Sequence, residues 1–285
     1  MTNSLENALA DQNRNDATRI LSSKMASVPK LLVEGRFDRK LLRRKWNADR
    51  DDNKQIDVIR QDGGKEKLAL EFKKREKDAL LFALVDMDYD FEGRFLIDRR
   101  MIDTRPLVTL ASHYFAEESS VNSHIRRIIN EYSPDYLYPK LSDEATDCIR
   151  KVAVILTWIR LYKGSCNVSK RNNTISWNEI NTNLDQFILL QDHIAELILD
   201  ERAMNFRNYV AENHEILEKC GINDHALLDS ICLWIEKWFS DVKKETIDTG
   251  YFQDLVIRKA CRMTNDFANR LRKRILSHTS NFKIE

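Results

Sequence analysis

Leu80–Asp90 reads LLFALVDMDYD, an apolar run from Leu80 to Val85 followed by acids at alternate positions, Asp86, Asp88 and Asp90. A short apolar run bounded by polar residues suits a strand buried on both faces, as in a parallel sheet. In such sheets ligands collect just beyond the carboxyl ends of the strands. Asp86 is expected at that edge, with Asp88 and Asp90 in the loop after it. Clustered carboxylates repel one another, and a hard divalent cation relieves the repulsion while gaining oxygen ligands. The same acids can instead form a solvated turn, or cap the next helix.

Working upstream, Lys30–Asp38 reads KLLVEGRFD. Leu31, Leu32 and Val33 form a second short apolar run, and Glu34 stands where it ends. Gly35 permits a tight turn with no Cβ to clash. Phe37, Leu41, Leu42 and Trp46 then recur at helical spacing, with Arg39, Lys40, Arg43 and Arg44 interspersed. Two strand-like runs thus each finish in acid on the same rim of one sheet. If the strands are neighbours, Glu34 faces Asp86 and Asp88 across a gap that suits a metal ion.

The remaining elements follow from the same patterns. Ile56–Ile59 alternates like another strand. Asp62-Gly63-Gly64-Lys65 is a turn feeding a helix through Lys77. Its glycines can bring amides close to a phosphate, or serve only as a turn, and neither a dinucleotide nor a Walker pattern is present. Phe91 to Asp103 is expected as a short basic helix carrying Arg94, Arg99 and Arg100, and Pro106–Leu110 as a fourth strand. Strands alternating with helices from Lys30 to Leu110 imply an α/β fold with a parallel sheet. Glu117 and Glu118 either reach the same rim as further ligands or form the acidic first turn of the next helix. Beyond Ser119 the pattern is helical: 121–132, 143–162, 177–202, 206–220 with Gly221 as a cap, 227–239 and 252–277. The expected organisation is an extension over 1–27, an α/β domain over 28–118 and a helical region over 119–285.

The 285 residues suffice for one large or two modest domains with real cores. Hydrophobic content of 42% and charged content of 32% fit a globular chain. A net charge of +1 excludes a general polyanion binder and leaves room for a local basic patch. The five cysteines are scattered without a CxxC pair, so neither a zinc site nor a disulfide framework is indicated. A reducing cytoplasm fits this best, and no apolar stretch is long enough to span a bilayer.

A strand ending in Glu-Gly (Val33-Glu34-Gly35), then a later strand ending in Asp-x-Asp (Val85-Asp86-Met87-Asp88), resembles the TOPRIM domain of topoisomerases, bacterial primases and OLD-type nucleases. Asp38, Gly63-Gly64-Lys65 and Asp90 add a likeness to the compact TOPRIM nuclease subunits found beside ABC-type ATPases in anti-phage defence, as in the PARIS system. The resemblance implies a TOPRIM-like sheet followed by a helical C-terminal region, with Glu34 as the family's glutamate and Asp86 and Asp88 as its metal-binding pair. It implies Mg²⁺ dependence, with Mn²⁺ as a substitute, and cleavage of phosphodiesters. It further implies a toxin held by its ATPase partner, released on infection, acting as a homodimer and cutting tRNA. The chain has no room for the other topoisomerase domains and no primase zinc region, which leaves nucleolytic cleavage.

The chemistry stands without the name. Carboxylate-held metal can activate a nucleophile and neutralise a leaving oxygen. Asp86 and Asp88, with Asp90, Glu117 or Glu118 as possible additions, are the expected ligands, and Glu34 shares a metal or acts as general acid or base. Arg36, Arg39, Lys65, Arg94, Arg99 and Arg100 are candidate partners of nucleic-acid phosphates, though each alone also reads as a solvated surface residue. Nothing in the sequence separates RNA from DNA. The basic run Arg270–Arg274 reads as a face for nucleic acid, a partner or only water, with water or a partner favoured. Two rivals remain: a haloacid-dehalogenase-like phosphotransferase with Asp86 as nucleophile, and a non-catalytic adaptor docking on an ATPase.

Overall fold

Four short runs pair side by side, and the two central ones are too apolar to face water on either side. The four are β1 (Lys30–Val33), β2 (Asp57–Arg60), β3 (Leu81–Val85) and β4 (Met101–Asp103). Every residue of β1 and of β3 is buried, as expected for central strands covered on both faces. The sheet order is β2-β1-β3-β4 and all pairs are parallel. Val33 pairs with Arg60 on one side and Leu84 on the other, so β1 and β3 end almost level. The computed structural model describes residues 28–47, 56–88, 90–115, 118–132, 141–166, 176–180, 186–238 and 266–282. The expected α/β architecture is therefore present, with a parallel sheet, flanking helices and a helical C-terminal region. Readings that fell on 1–27 and on 252–265 lie outside the described residues.

The chain forms two compact units. The first comprises the described residues within 28–85, 95–103 and 266–282. Its helices are α1 (Arg36–Asn47), α2 (Gly64–Lys74) and the helix Asp266–Phe282. Leu32, Ile59, Leu81, Ala83, Val85 and Met101 form one apolar cluster with Leu68 and Phe72 of α2. Fully burying a Leu or Phe contributes about 2 kcal/mol, so this cluster is a main support of the sheet. Gly63 and Gly64 enter α2 at φ 107 and 77, a region that costs glycine little.

The second unit comprises residues 86–94 and 104–238 of those described. Its helices are α3 (Glu118–Tyr132), α4 (Asp143–Ser165), α5 (Phe187–Leu199), α6 (Ala203–Lys219) and α7 (Asp224–Trp238); Asp266–Phe282 is α8. The long α4 starts where Ser142 accepts the Ala145 N–H, with Asp143 and Glu144 at the positive end of the dipole. Its apolar face, Ile149, Val152, Ile155, Leu156 and Ile159, is buried. Trp158 donates its indole N–H to the Leu217 carbonyl at 3.2 Å, and Arg160 pairs with Asp229 at 2.5 Å, tying α4 to α6 and α7. Trp234 of α7 is part of the core. Among the described residues no helix is long and apolar enough to cross a membrane.

Three expected elements are corrected. Phe91–Asp103 is not a helix but a series of turns leading into β4. Gly93 lies at φ 73, and Arg94 donates its N–H to the Asp90 side chain instead of continuing a helical ladder. Pro106–Leu110 is not a strand. Pro106 has no N–H to give a ladder, and Val108 sends its N–H to Cys220 at 2.7 Å. The helix expected from Trp177 begins only at Phe187, and Ser176–Ile180 is a turn in which Ser176 donates to Glu179. Gly221 does follow α6 in the left-handed region, at φ 73.

Candidate functional site

Glu34 is the first residue past β1 and Asp86 the first past β3, and these strands are neighbours. The chain runs from β1 to β2 on one side, then crosses back to β3 on the other. Such a reversal is where open parallel sheets bind ligands, beyond the carboxyl ends of the strands. Glu34 is half-buried, and the turn after it is set by Asp38, whose Oδ2 accepts the Gly35 N–H at 3.1 Å. A Cβ on residue 35 would lie 2.7 Å from that oxygen, so a larger residue there would displace the Asp38 carboxylate from this bond.

The acidic turn is held by bonds to its own backbone. Asp86 accepts the Leu110 N–H at 3.2 Å through Oδ1. Met87 is buried and donates its N–H to the Thr104 hydroxyl oxygen at 3.0 Å. Asp88 sits at φ 41, a left-handed conformation that Asp tolerates better than most residues, and donates its N–H to the Val108 carbonyl at 3.2 Å. Thr104 is fully buried, and its own proton goes to the Leu107 or Val108 carbonyl, at 2.9 and 3.1 Å. The 107–112 segment is held in turn at the α6–α7 joint. Val108 donates to the Cys220 carbonyl and Ser112 to the Ile222 carbonyl, the latter at 2.8 Å. Burial pushes the Cys220 thiol up to about 12, so it is an inert anchor.

The sequence-predicted residues separate on this geometry. Asp86 and Asp88 are half-buried at the strand end. Asp90 is buried, and its Oδ1 accepts both the backbone N–H and the Nε of Arg94, at 3.0 and 3.3 Å, which makes it a clasp for this turn. Glu117 and the side chain of Glu118 lie outside the described residues. Arg36 is exposed and Arg39 half-buried on α1. Lys65 is buried at the start of α2 with Nζ 5.7 Å from the Phe95 ring centroid. Arg94 and Arg99 are exposed.

Arg100 differs. It is buried, donates to the Asp78 and Glu76 carbonyls at 2.6 and 2.7 Å, grips Asp98 through Nε and Nη2 at 3.0 Å, and lies 5.1 Å from the Phe72 ring centroid. Arg100 is a structural pin, and its expected role at a substrate phosphate is withdrawn. Its hydrogen bond also holds the Asp98 carboxyl below the usual carboxylate range, against an opposing effect of burial.

Thr104 was not singled out in the sequence. A threonine beside a strand carries no local mark, and its partner Met87 is seventeen residues away.

An all-oxygen, anionic donor set is the chemistry that Mg²⁺ or Mn²⁺ takes. Among the described residues no group of three or more His, Cys, Asp or Glu side chains stands ready to hold a metal. Mg²⁺ is commonly held by one or two carboxylates, retained waters and substrate phosphates, so the donors fit without a preformed cage. No protein-family model matches the sequence, and no curated protein matches it.

Proposed function

We propose that this chain is a divalent-metal-dependent phosphodiesterase of TOPRIM type, an endonuclease that cuts nucleic acid. The observation that supports it is the reversal of the sheet between β1 and β3, with Glu34 and Asp86 as the next residues of the two strands. In this reading Asp86 and Asp88 would hold Mg²⁺, which when bound supplies Lewis acidity and acidifies water. Glu34 takes the proton of the attacking water as its oxygen bonds to phosphorus, and a proton from solvent goes to the departing oxygen as its bond to phosphorus breaks. The amide of Leu110 orients Asp86, and Asp90 keeps the turn closed over Arg94. Following the resemblance, tRNA is the preferred substrate and an ABC-type ATPase the controlling partner. The protein then acts as a homodimeric toxin of anti-phage defence in the cytoplasm.

A second reading starts from the separate helical unit built around α4, which has a buried core of its own. In it the chain is an adaptor that docks on an ATPase without chemistry of its own. Incubation with Mg²⁺ and total tRNA, single-stranded RNA or plasmid DNA separates the two. Cleavage that drops by about a hundredfold or more in Glu34→Ala and Asp86→Ala supports the nuclease. Equal cleavage in all three proteins removes these acids from the mechanism. Cellular effects unchanged in both variants support the adaptor, and a trapped phospho-Asp86 supports phosphotransfer instead.

A further inference from the structure

Helix α8 buries Ala268, Leu271, Ile275 and Thr279, a stripe at helical spacing. Its opposite face exposes Asn269, Arg270, Lys273, Arg274 and Ser277, three cations with no acid among them. Arg274 donates through Nη2 to the Arg99 carbonyl at 2.7 Å, which adds the exposed Arg99 to the same neighbourhood. Asp98, the acid beside Arg99 in sequence, is engaged through both carboxylate oxygens by Arg100. His278 of α8, edge-on to Phe82 at 5.4 Å, reports the local field. Burial first, then Arg99, Arg100 and Arg274, hold its pKa below the usual imidazole range, against an opposing pull from Asp98.

Cations spread along a helix face do not converge on one point, as a pocket for a small anion requires. Arg270 and Arg274 are separated by a rise of about 6 Å, with Lys273 between them. That layout suits a chain of repeating anions. Among the described residues no aromatic side chain is exposed on α8, so recognition through the backbone is favoured over base readout.

We propose that the exposed face of α8, together with Arg99, is a docking surface for the phosphodiester backbone of nucleic acid. This names the partner class of the proposed nuclease, yet the contact needs neither metal nor Glu34 and can be tested apart from cleavage.

The test is fluorescence anisotropy with a labelled single-stranded RNA of about 20 nucleotides in EDTA, which covers more than one typical binding footprint. The full chain, Glu34→Ala, a Arg270→Ala/Lys273→Ala/Arg274→Ala variant and an Arg270→Glu/Lys273→Glu variant are compared. The last keeps the Arg274 bond to Arg99, and matched melting temperatures confirm folding. The full chain and Glu34→Ala should bind alike, with affinity falling as salt rises. The triple variant should bind at least about tenfold more weakly near 100 mM salt, and its log–log salt slope should shrink by about two, from roughly 0.7 per lost phosphate contact. The charge-reversed pair should be weaker still.

Equal affinity and slope in all four proteins would overturn the proposal. So would the absence of RNA binding by the full chain, or binding that poly-glutamate displaces as readily as unlabelled RNA. Binding without any cleavage would instead count against the nuclease and leave this surface standing.

Discussion

Arg100 and the Asp86–Asp90 turn are both charged stretches beside β-strands, and both looked like site material in the sequence. Their surroundings differ. Arg100 is buried, with carbonyls, a carboxylate and an aromatic ring taking up its guanidinium. In the turn the supporting bonds come mostly from backbone groups and Thr104, while Asp86 and Asp88 stay half-buried at the end of β3. Charge that protein carbonyls surround is architecture. Charge held in place at a strand end, at a reversal of the sheet, is where chemistry is to be sought.

The comparison breaks first at Arg100. Arg100→Ala leaves Asp98 and two carbonyls without their main donor and should cost about 3 kcal/mol in denaturant unfolding. A loss of under about 0.5 kcal/mol, the range of ordinary surface changes, would mean that Arg100 is no pin. At the turn, Thr104→Val leaves the buried Met87 amide without an acceptor, a cost of about 2 kcal/mol. If Thr104 positions the acids, Thr104→Ser should restore the Mn²⁺ affinity that Thr104→Val loses. A mere packing role would leave that affinity unmoved in both.

Gly221→Ala should be milder, about 1 kcal/mol. Its backbone is left-handed, and a Cβ there would lie 3.2 Å from Leu107 Cδ2 and 3.4 Å from Ser112 Cβ. Thermal melting checks it, and an unchanged midpoint would show that the α6–α7 joint yields freely.

The smallest effect is a pH dependence. Asp98 titrates below its ordinary value of 3.8 in the folded chain, chiefly through its hydrogen bond to Arg100. Its stabilisation is therefore complete above the unfolded pKa and is lost as pH falls through the lower folded value. The gap in stability between the parent and Asp98→Asn should hold steady at neutral pH and narrow below about pH 4. A gap independent of pH over that range would contradict the assignment.

Much of this was legible in the residues. The short apolar runs of β1 and β3 announced themselves because a central strand must be apolar on both faces, the edge strand β2 showed itself by alternation, and the acids closing β1 and β3 marked the rim. β4 was not legible. Met101–Asp103 is three residues long, while Pro106–Leu110 looked more strand-like yet sends its amide and carbonyl groups to the acidic turn and to Cys220. Arg99 and Arg100 were indistinguishable as letters. Adjacent side chains leave the backbone in different directions, so one is exposed and the other buried. The role of Thr104 depends on a contact distant in sequence, and no local pattern encodes it.

The most direct test of the account is a Mn²⁺ titration followed by electron paramagnetic resonance, in the parent, Glu34→Gln and Asp86→Asn proteins. The account predicts saturable binding in the parent, lost in Asp86→Asn and weakened in Glu34→Gln. Binding of equal strength in all three, or none in the parent even with RNA present, would contradict it.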